Sequence, residues 1–94
     1  MRIIWDQTKN RSNLVKHNVS FEVASLVFDD PFHLSILDRV ENGEERWQTL
    51  GLVGSVVLLL VAHTTAEQEG EAVVRIISAR KATRKERQKY EEGY

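Results

Sequence analysis

The sequence has no cysteine, a single proline, and no apolar run longer than the seven residues from Val56 to Ala62. Without cysteine there is no disulfide framework, no thiolate zinc site and no cysteine nucleophile. Seven apolar residues fall far short of the roughly 18 that cross a bilayer, so the run reads as a buried strand. The opening Met-Arg-Ile-Ile-Trp-Asp is charged where a secretory signal would be apolar, and a cytoplasmic protein is expected. No His-x-x-x-His, glycine-rich phosphate loop or nucleophile elbow occurs, which removes the hydrolase classes built on them. Asp29 and Asp30 are adjacent carboxylates, a spacing that seldom converges on one cation. Neither a metal nor another cofactor is expected.

What is present fits one small domain spanning residues 1–94, with 41% hydrophobic and 29% charged residues. A chain of this size buries roughly 60–65% of its unfolded surface, enough for one core and too little for a deep cofactor cavity. The net charge of −1 hides an asymmetry. Residues 1–74 carry 6 basic and 11 acidic groups, or −5, and residues 75–94 carry 7 basic and 3 acidic, or +4. From Val73 to Lys85 every charged residue is basic, which marks an anion-binding face or a solvated helix.

Residues Arg2 to Trp5 read as a short edge strand, and Asp6 as the N-cap of a helix running to His17, which Asn18 stops. Ser20 caps a second helix whose apolar face is Phe21, Ala24, Val27 and Phe28, ended by Asp29-Asp30-Pro31. Leu34 to Val40 and Arg46 to Val53 are strands joined at Asn42-Gly43, a type I′ hairpin signal. Gly54-Ser55 suits a type II′ turn into the central strand Val56 to Val61, which His63 closes. Thr64 to Glu71 reads as a polar linker before a last strand, Ala72 to Ser78, with Arg80 just beyond its end. Thr83 and Glu86 have capping-box spacing and start a polar helix that ends near Glu92. The fold class is α+β: strand, two helices on one sheet face, a four-stranded antiparallel meander and a C-terminal helix. Tyr90 is nearly the only apolar group on that last helix, which makes it a candidate for partner contact or mobility.

The blocks Trp5-Asp6-x-x-Lys9, Asn13-x-x-Lys16-His17-x-Val19-x-Phe21, Val27-Phe28-x-Asp30-Pro31 and Glu45-Arg46 before Gly51 follow one another along the chain. They are followed by Arg75-Ile76-Ile77-Ser78-Ala79-Arg80-Lys81-Ala82-Thr83, Glu86-Arg87 and Tyr90. Together, over almost the whole chain, these blocks resemble the BrnT family of bacterial toxins. The resemblance implies a RelE-like fold and a ribonuclease toxin of a type II toxin–antitoxin module that halts translation by cutting RNA. It also implies a BrnA-like ribbon-helix-helix antitoxin that neutralises the toxin and carries the pair to operator DNA.

Metal-independent RNA cleavage needs a base for the 2′-hydroxyl, cations for the developing negative charge and a donor for the departing 5′ oxygen. Arginine suits the second role because its planar fork makes two charge-assisted bonds to phosphate. Arg46, Arg75 and Arg80 are the catalytic candidates, with Lys81, Arg84 and Arg87 as RNA contacts. In a regular strand Arg75 and Arg80 project to opposite faces, so sharing a site requires a bulge near Ser78-Ala79. His17, Glu45 beside Arg46, and Tyr90 are the acid–base candidates. His17 also suits the negative end of its helix, and His33 and His63 read as structural. Trp5, Trp47, Phe21, Phe28 and Phe32 mostly read as core, which leaves no aromatic platform for base stacking. A non-enzymatic alternative stays open, in which the basic last helix docks on an acidic partner segment and reaches DNA only through that partner.

Overall fold

The computed structural model describes residues 1–93. Strand β1 (Arg2–Ile4) leads into α1 (Gln7–His17) and α2 (Phe21–Ala24), which tightens into a 3-10 turn over Ser25–Asp29. Four strands follow, β2 (Leu34–Glu41), β3 (Glu44–Val53), β4 (Val57–Gln68) and β5 (Glu71–Lys81), and then α3 (Arg84–Glu92). The sheet order is β1-β5-β4-β3-β2, with β1 parallel to β5 and every other pair antiparallel. The α+β class and the edge position of β1 are as the sequence predicts, and the all-apolar strand is central.

Local chemistry sets the boundaries. The Asp6 carboxylate accepts from the Thr8 and Lys9 amides, and Asn18 ends α1 in the left-handed region at φ 58°. Ser20 caps α2, and Thr83 and Glu86 form the reciprocal capping box of α3. Asn42 and Gly43, at φ 54° and 75°, make the type I′ turn between β2 and β3.

The last hairpin differs from the sequence reading. Thr64 to Glu71 is no linker: β4 continues to Gln68, and β5 begins at Glu71 after the two-residue turn Glu69-Gly70, with φ of 52° and 79°. Its polarity reflects a solvated hairpin tip beyond the core, where backbone pairing needs no apolar side chains. His63 therefore lies within β4, and Arg80 lies inside β5 opposite Leu60. Gly54-Ser55 is not a type II′ turn, because Ser55 also has positive φ, 59°.

One sheet face is covered by α1, α2 and the 3-10 turn. Phe21, Ala24 and Val27 pack there on Leu59, Val61, Ile76 and Ala79, with Trp5 edge-on to Phe21 at 6.2 Å. Gly51 permits this closeness, since a Cβ there would stand 2.5 Å from Val27 Cβ and 2.8 Å from its carbonyl oxygen. Under the same cover, His63 Nε2 lies 2.7 Å from Thr49 Oγ1, and its ring meets Phe28 edge-on at 5.1 Å. Burial lowers the His63 pKa, so the ring is neutral at pH 7 and serves packing. Phe32, expected in the core, is 77% exposed, because the turn after Pro31 carries it outward.

Helix α3 crosses the opposite face. None of its residues is buried, and its ties are polar. Arg80 on β5 holds Glu86 through two bonds of 2.9 Å, and the Tyr90 hydroxyl donates to Asp30. Asp30 Oδ2 also accepts from the Leu52 amide at 2.8 Å, closing the edge of β3 beyond the start of β2.

Candidate functional site

Strand pairing gives the site its geometry. On β5 Ile77 has no partner, since Ser78 faces Ala62 and Ile76 faces His63. This β-bulge lies beside the expected Ser78-Ala79 position and between Arg75 and Arg80, as parity requires. Its effect is to put Arg75, Ser78 and Arg80 on one face, in rows with Thr64, Ala62 and Leu60 respectively. On β3 the same rows are continued by Arg46, Gln48 and Leu50. All three candidate arginines thus share the sheet face opposite α1 and α2.

They do not form a single cluster. Arg39, Arg46, Thr64 and Arg75 make one row across four strands, while Arg80 lies two rows away, about 13 Å along the strand. Like charges directly opposite one another repel, and carboxylates relieve this row. Glu41 bridges Arg39 at 2.9 Å and Arg46 at 3.7 Å, and Arg75 Nη2 donates to both Glu44 oxygens at 3.0 and 3.1 Å. Arg46 is about three-quarters buried, and its Nε is enclosed with no acceptor among the described residues. A rigid strand and buried stem hold that guanidinium in place, which suits it to an incoming phosphate oxygen.

Arg80 is arranged differently. Its fork is filled by Glu86, and that hydrogen bond, against some burial, raises the arginine pKa. The same bond holds the Glu86 carboxyl below its usual range. A phosphate would have to displace Glu86 to reach it.

The acid–base candidates are dispersed. Glu45 neighbours Arg46 in sequence but pairs with Val40 and projects to the other face. The carboxylates beside the arginine row are Glu41 and Glu44, which only the strand register could have identified. Tyr90 is tied to Asp30, and burial together with that bond pushes its pKa up to about 12. Burial alone would raise the Asp30 carboxyl, but bonds from Tyr90 and the Leu52 and Phe32 amides hold it below the ordinary value. His17 ends α1 beside Ile77 and Ser78, across the outer edge of β5 from the arginine row. Lys81 projects to the helix-covered side opposite Leu59, and Arg84 and Arg87 are exposed on α3.

Several motif residues serve the fold. Asn13 accepts from the Ala79 amide at 3.1 Å and donates at 2.8 Å to both the Ala79 and Val19 carbonyls, taking the place of a sixth strand at that point. Asn10 accepts from the Phe21 amide at 2.8 Å. Val19, Phe21 and Val27 are core, and Asp30, Glu86 and Tyr90 anchor α3.

The chain is similar to the crystal structure of the Brucella abortus ribonuclease toxin BrnT, with a TM-score of 0.63 and 21% identity over 89% of this chain and 99% of that one. No curated protein sequence matches it significantly. The family described as the ribonuclease toxin BrnT of type II toxin–antitoxin systems matches residues 5–86. That match spans the buried helices, the whole meander and the start of α3, and the chain belongs to the BrnT toxin family.

Proposed function

We propose that this chain is an active, metal-independent endoribonuclease toxin that inhibits translation. The observation that carries the reading is the bulge at Ile77, which turns Arg75 and Arg80 to the face that carries Arg46. In this reading Arg46 and Arg75 hold the scissile phosphate and stabilise the added negative charge, with Glu41 and Glu44 as their counter-ions in the absence of RNA. Glu44 accepts the 2′-hydroxyl proton, the 2′ oxygen attacks phosphorus, and the 5′ oxygen leaves with a proton from solvent. Arg80 grips a neighbouring phosphate once Glu86 yields it. A BrnA-like ribbon-helix-helix antitoxin silences the toxin by covering the Arg46–Arg80 face, and operator DNA is reached only through that antitoxin.

A second reading has one observation in its favour. Arg46, Arg75 and Arg80 each have a carboxylate partner, as an interaction domain without catalysis would also have. Induction of the chain alone separates the two. Under the enzyme reading growth stops and RNA fragments, Arg46→Ala and Arg75→Ala abolish both effects while melting as the wild type does, and Arg80→Ala weakens them. Because Arg80 also anchors α3, Glu86→Gln serves as the control that loosens the same tie while sparing the arginine. Harmlessness of a folded wild-type chain removes the enzyme reading.

A further inference from the structure

The arginines of the sheet are paired with carboxylates, but the lysines beside it are not. Arg2, Arg39, Arg46, Arg75 and Arg80 all have acidic partners within the described residues. Helix α1, by contrast, contains Lys9, Arg11 and Lys16 and no acidic residue, and among the described residues none of the three is in an ion pair. The net −5 of residues 1–74 conceals this cationic element.

Topology places it against β5. Strand β1 pairs with β5 only from Val73 to Arg75, so from Ile76 onward the outer edge of β5 has no strand neighbour. Helix α1 runs along that edge, fastened by Asn13 to Ala79. Lys9, Lys16 and His17 line a shallow hollow of about 180 Å³ there, together with Ser78 from the arginine-bearing face. Lys9 and Lys16 stand about 10 Å apart along the helix axis, two turns on one side. At the end of β5 Lys81 borders a hollow with Arg87 of α3 and with Val56, Val57 and Leu58 at the start of β4, and neither cation is in an ion pair among the described residues.

We infer that the α1-lined side of β5, from Lys9 and Lys16 past Ser78, is a track for the phosphate backbone of single-stranded RNA, leading to the arginine face and, at the end of β5, to Lys81 and Arg87. The inference rests on the ribonuclease reading for its substrate and adds the path by which that substrate lies on the protein. The α1 hollow offers two ammonium groups, the Ser12 and Ser78 hydroxyls and an imidazole around Ile77, and it is shallow, as backbone tracking requires. The apolar hollow lined by Leu14, Val23, Val53 and Val57 shares no residue with the Lys9–Lys16 hollow and touches the track only at Lys81, so a protein segment seeking side-chain burial has a neighbouring place to go.

The test is binding of a fluorescent uridine oligonucleotide carrying 2′-O-methyl groups, which removes the attacking hydroxyl and separates binding from cleavage. Affinity is measured between about 50 and about 200 mM salt. Lys9→Gln with Lys16→Gln is expected to weaken binding several-fold and to flatten the slope of log K against log salt by about 1.4, at about 0.7 per phosphate contact. Glutamine keeps helix propensity at these exposed positions. Arg11→Gln, on the opposite side of α1, is the control and should change neither quantity. Equal losses in the double variant and the control, or no loss in either, overturn the track. So does a double variant that loses affinity only for an acidic polyglutamate peptide, because the surface then serves a protein segment. A wild type that binds as described yet leaves unmodified RNA intact supports the track and removes the nuclease reading. A double variant that cleaves RNA and binds the oligonucleotide as the wild type does removes the track and leaves the nuclease reading in place.

Discussion

The Tyr90 hydroxyl lies 2.5 Å from Asp30 Oδ2, joining the last helix to a turn 60 residues earlier in the chain. Because α3 buries no residue, this bond and the Arg80–Glu86 pair decide whether it stays on the sheet. Tyr90→Phe keeps the ring and removes only the donor. The expected loss is about 1 kcal/mol, or about 4–8 °C in Tm, with faster amide exchange in α3 than elsewhere. Unchanged exchange in α3 would show that the helix is held by something else.

The same pair has a pH signature. Tyr90 is raised, to about 12, so its contribution is complete below the unfolded value of 10.0 and is lost as pH rises through about 12. Asp30 is lowered, so its contribution is complete above the unfolded value of 3.8 and is lost as pH falls through its folded value. Phenolate absorbance followed with pH should show a late transition near 12 in the wild type that is missing from Tyr90→Phe.

His63 predicts a slope opposite in sign to that of Tyr90, and closer to neutrality. Burial lowers its pKa from 6.5, so as pH falls below that value the unfolded chain takes up a proton that the native state refuses, and stability declines. Urea midpoints at successive pH values from neutral downward should therefore fall in the wild type. In His63→Gln, which is less stable throughout, that part of the slope should vanish.

Gly51 is a point of close approach between the meander and the 3-10 turn. An added methyl would press on the Val27 backbone as well as its side chain, with Val27 Cα at 2.9 Å, so neither rotamer change nor a small shift relieves it. Gly51→Ala should cost about 3 kcal/mol, read from the urea midpoint at unchanged m-value. A cost below the error of that measurement would mean that the turn moves freely.

Asn13 tests the closure of β5. Asn13→Asp keeps an acceptor for the Ala79 amide but turns a carboxylate towards the Ala79 and Val19 carbonyls. It should destabilise by about 3 kcal/mol at pH 7 and by less near pH 4, where a protonated carboxyl donates again. Equal loss at both values would count against charge repulsion as the cause.

Short-range signals were legible in the sequence. Asp6, Ser20 and Thr83 act as caps and Asn42-Gly43 turns the chain, because each depends on neighbours within a few residues, and the apolar run is central from Val57 onward, with Val56 left exposed in the turn. The need for a bulge between Arg75 and Arg80 was also readable from parity. What escaped depends on pairing across the sheet. Glu44, rather than Glu45, meets Arg75, 31 residues away, and no local pattern distinguishes the two. The Thr64–Glu71 strand was hidden because an exposed ribbon has linker composition. The cations of α1 come beside β5 through the β1–β5 pairing and the Asn13–Ala79 bonds, contacts between residues more than 60 apart in sequence.

The unpaired Ile77 makes the length of β5 count differently from its spelling. Exchanging one side chain there for another would disturb one contact, whereas removing the residue would shift parity for everything before it. Arg75 would turn inward, and Val74, only 3% exposed, would be pulled off the helix-covered core onto the arginine face. Point changes at this position are therefore survivable while one-residue gaps are not, and functional relatives should differ in the identity of this residue and agree on the count between their two arginines.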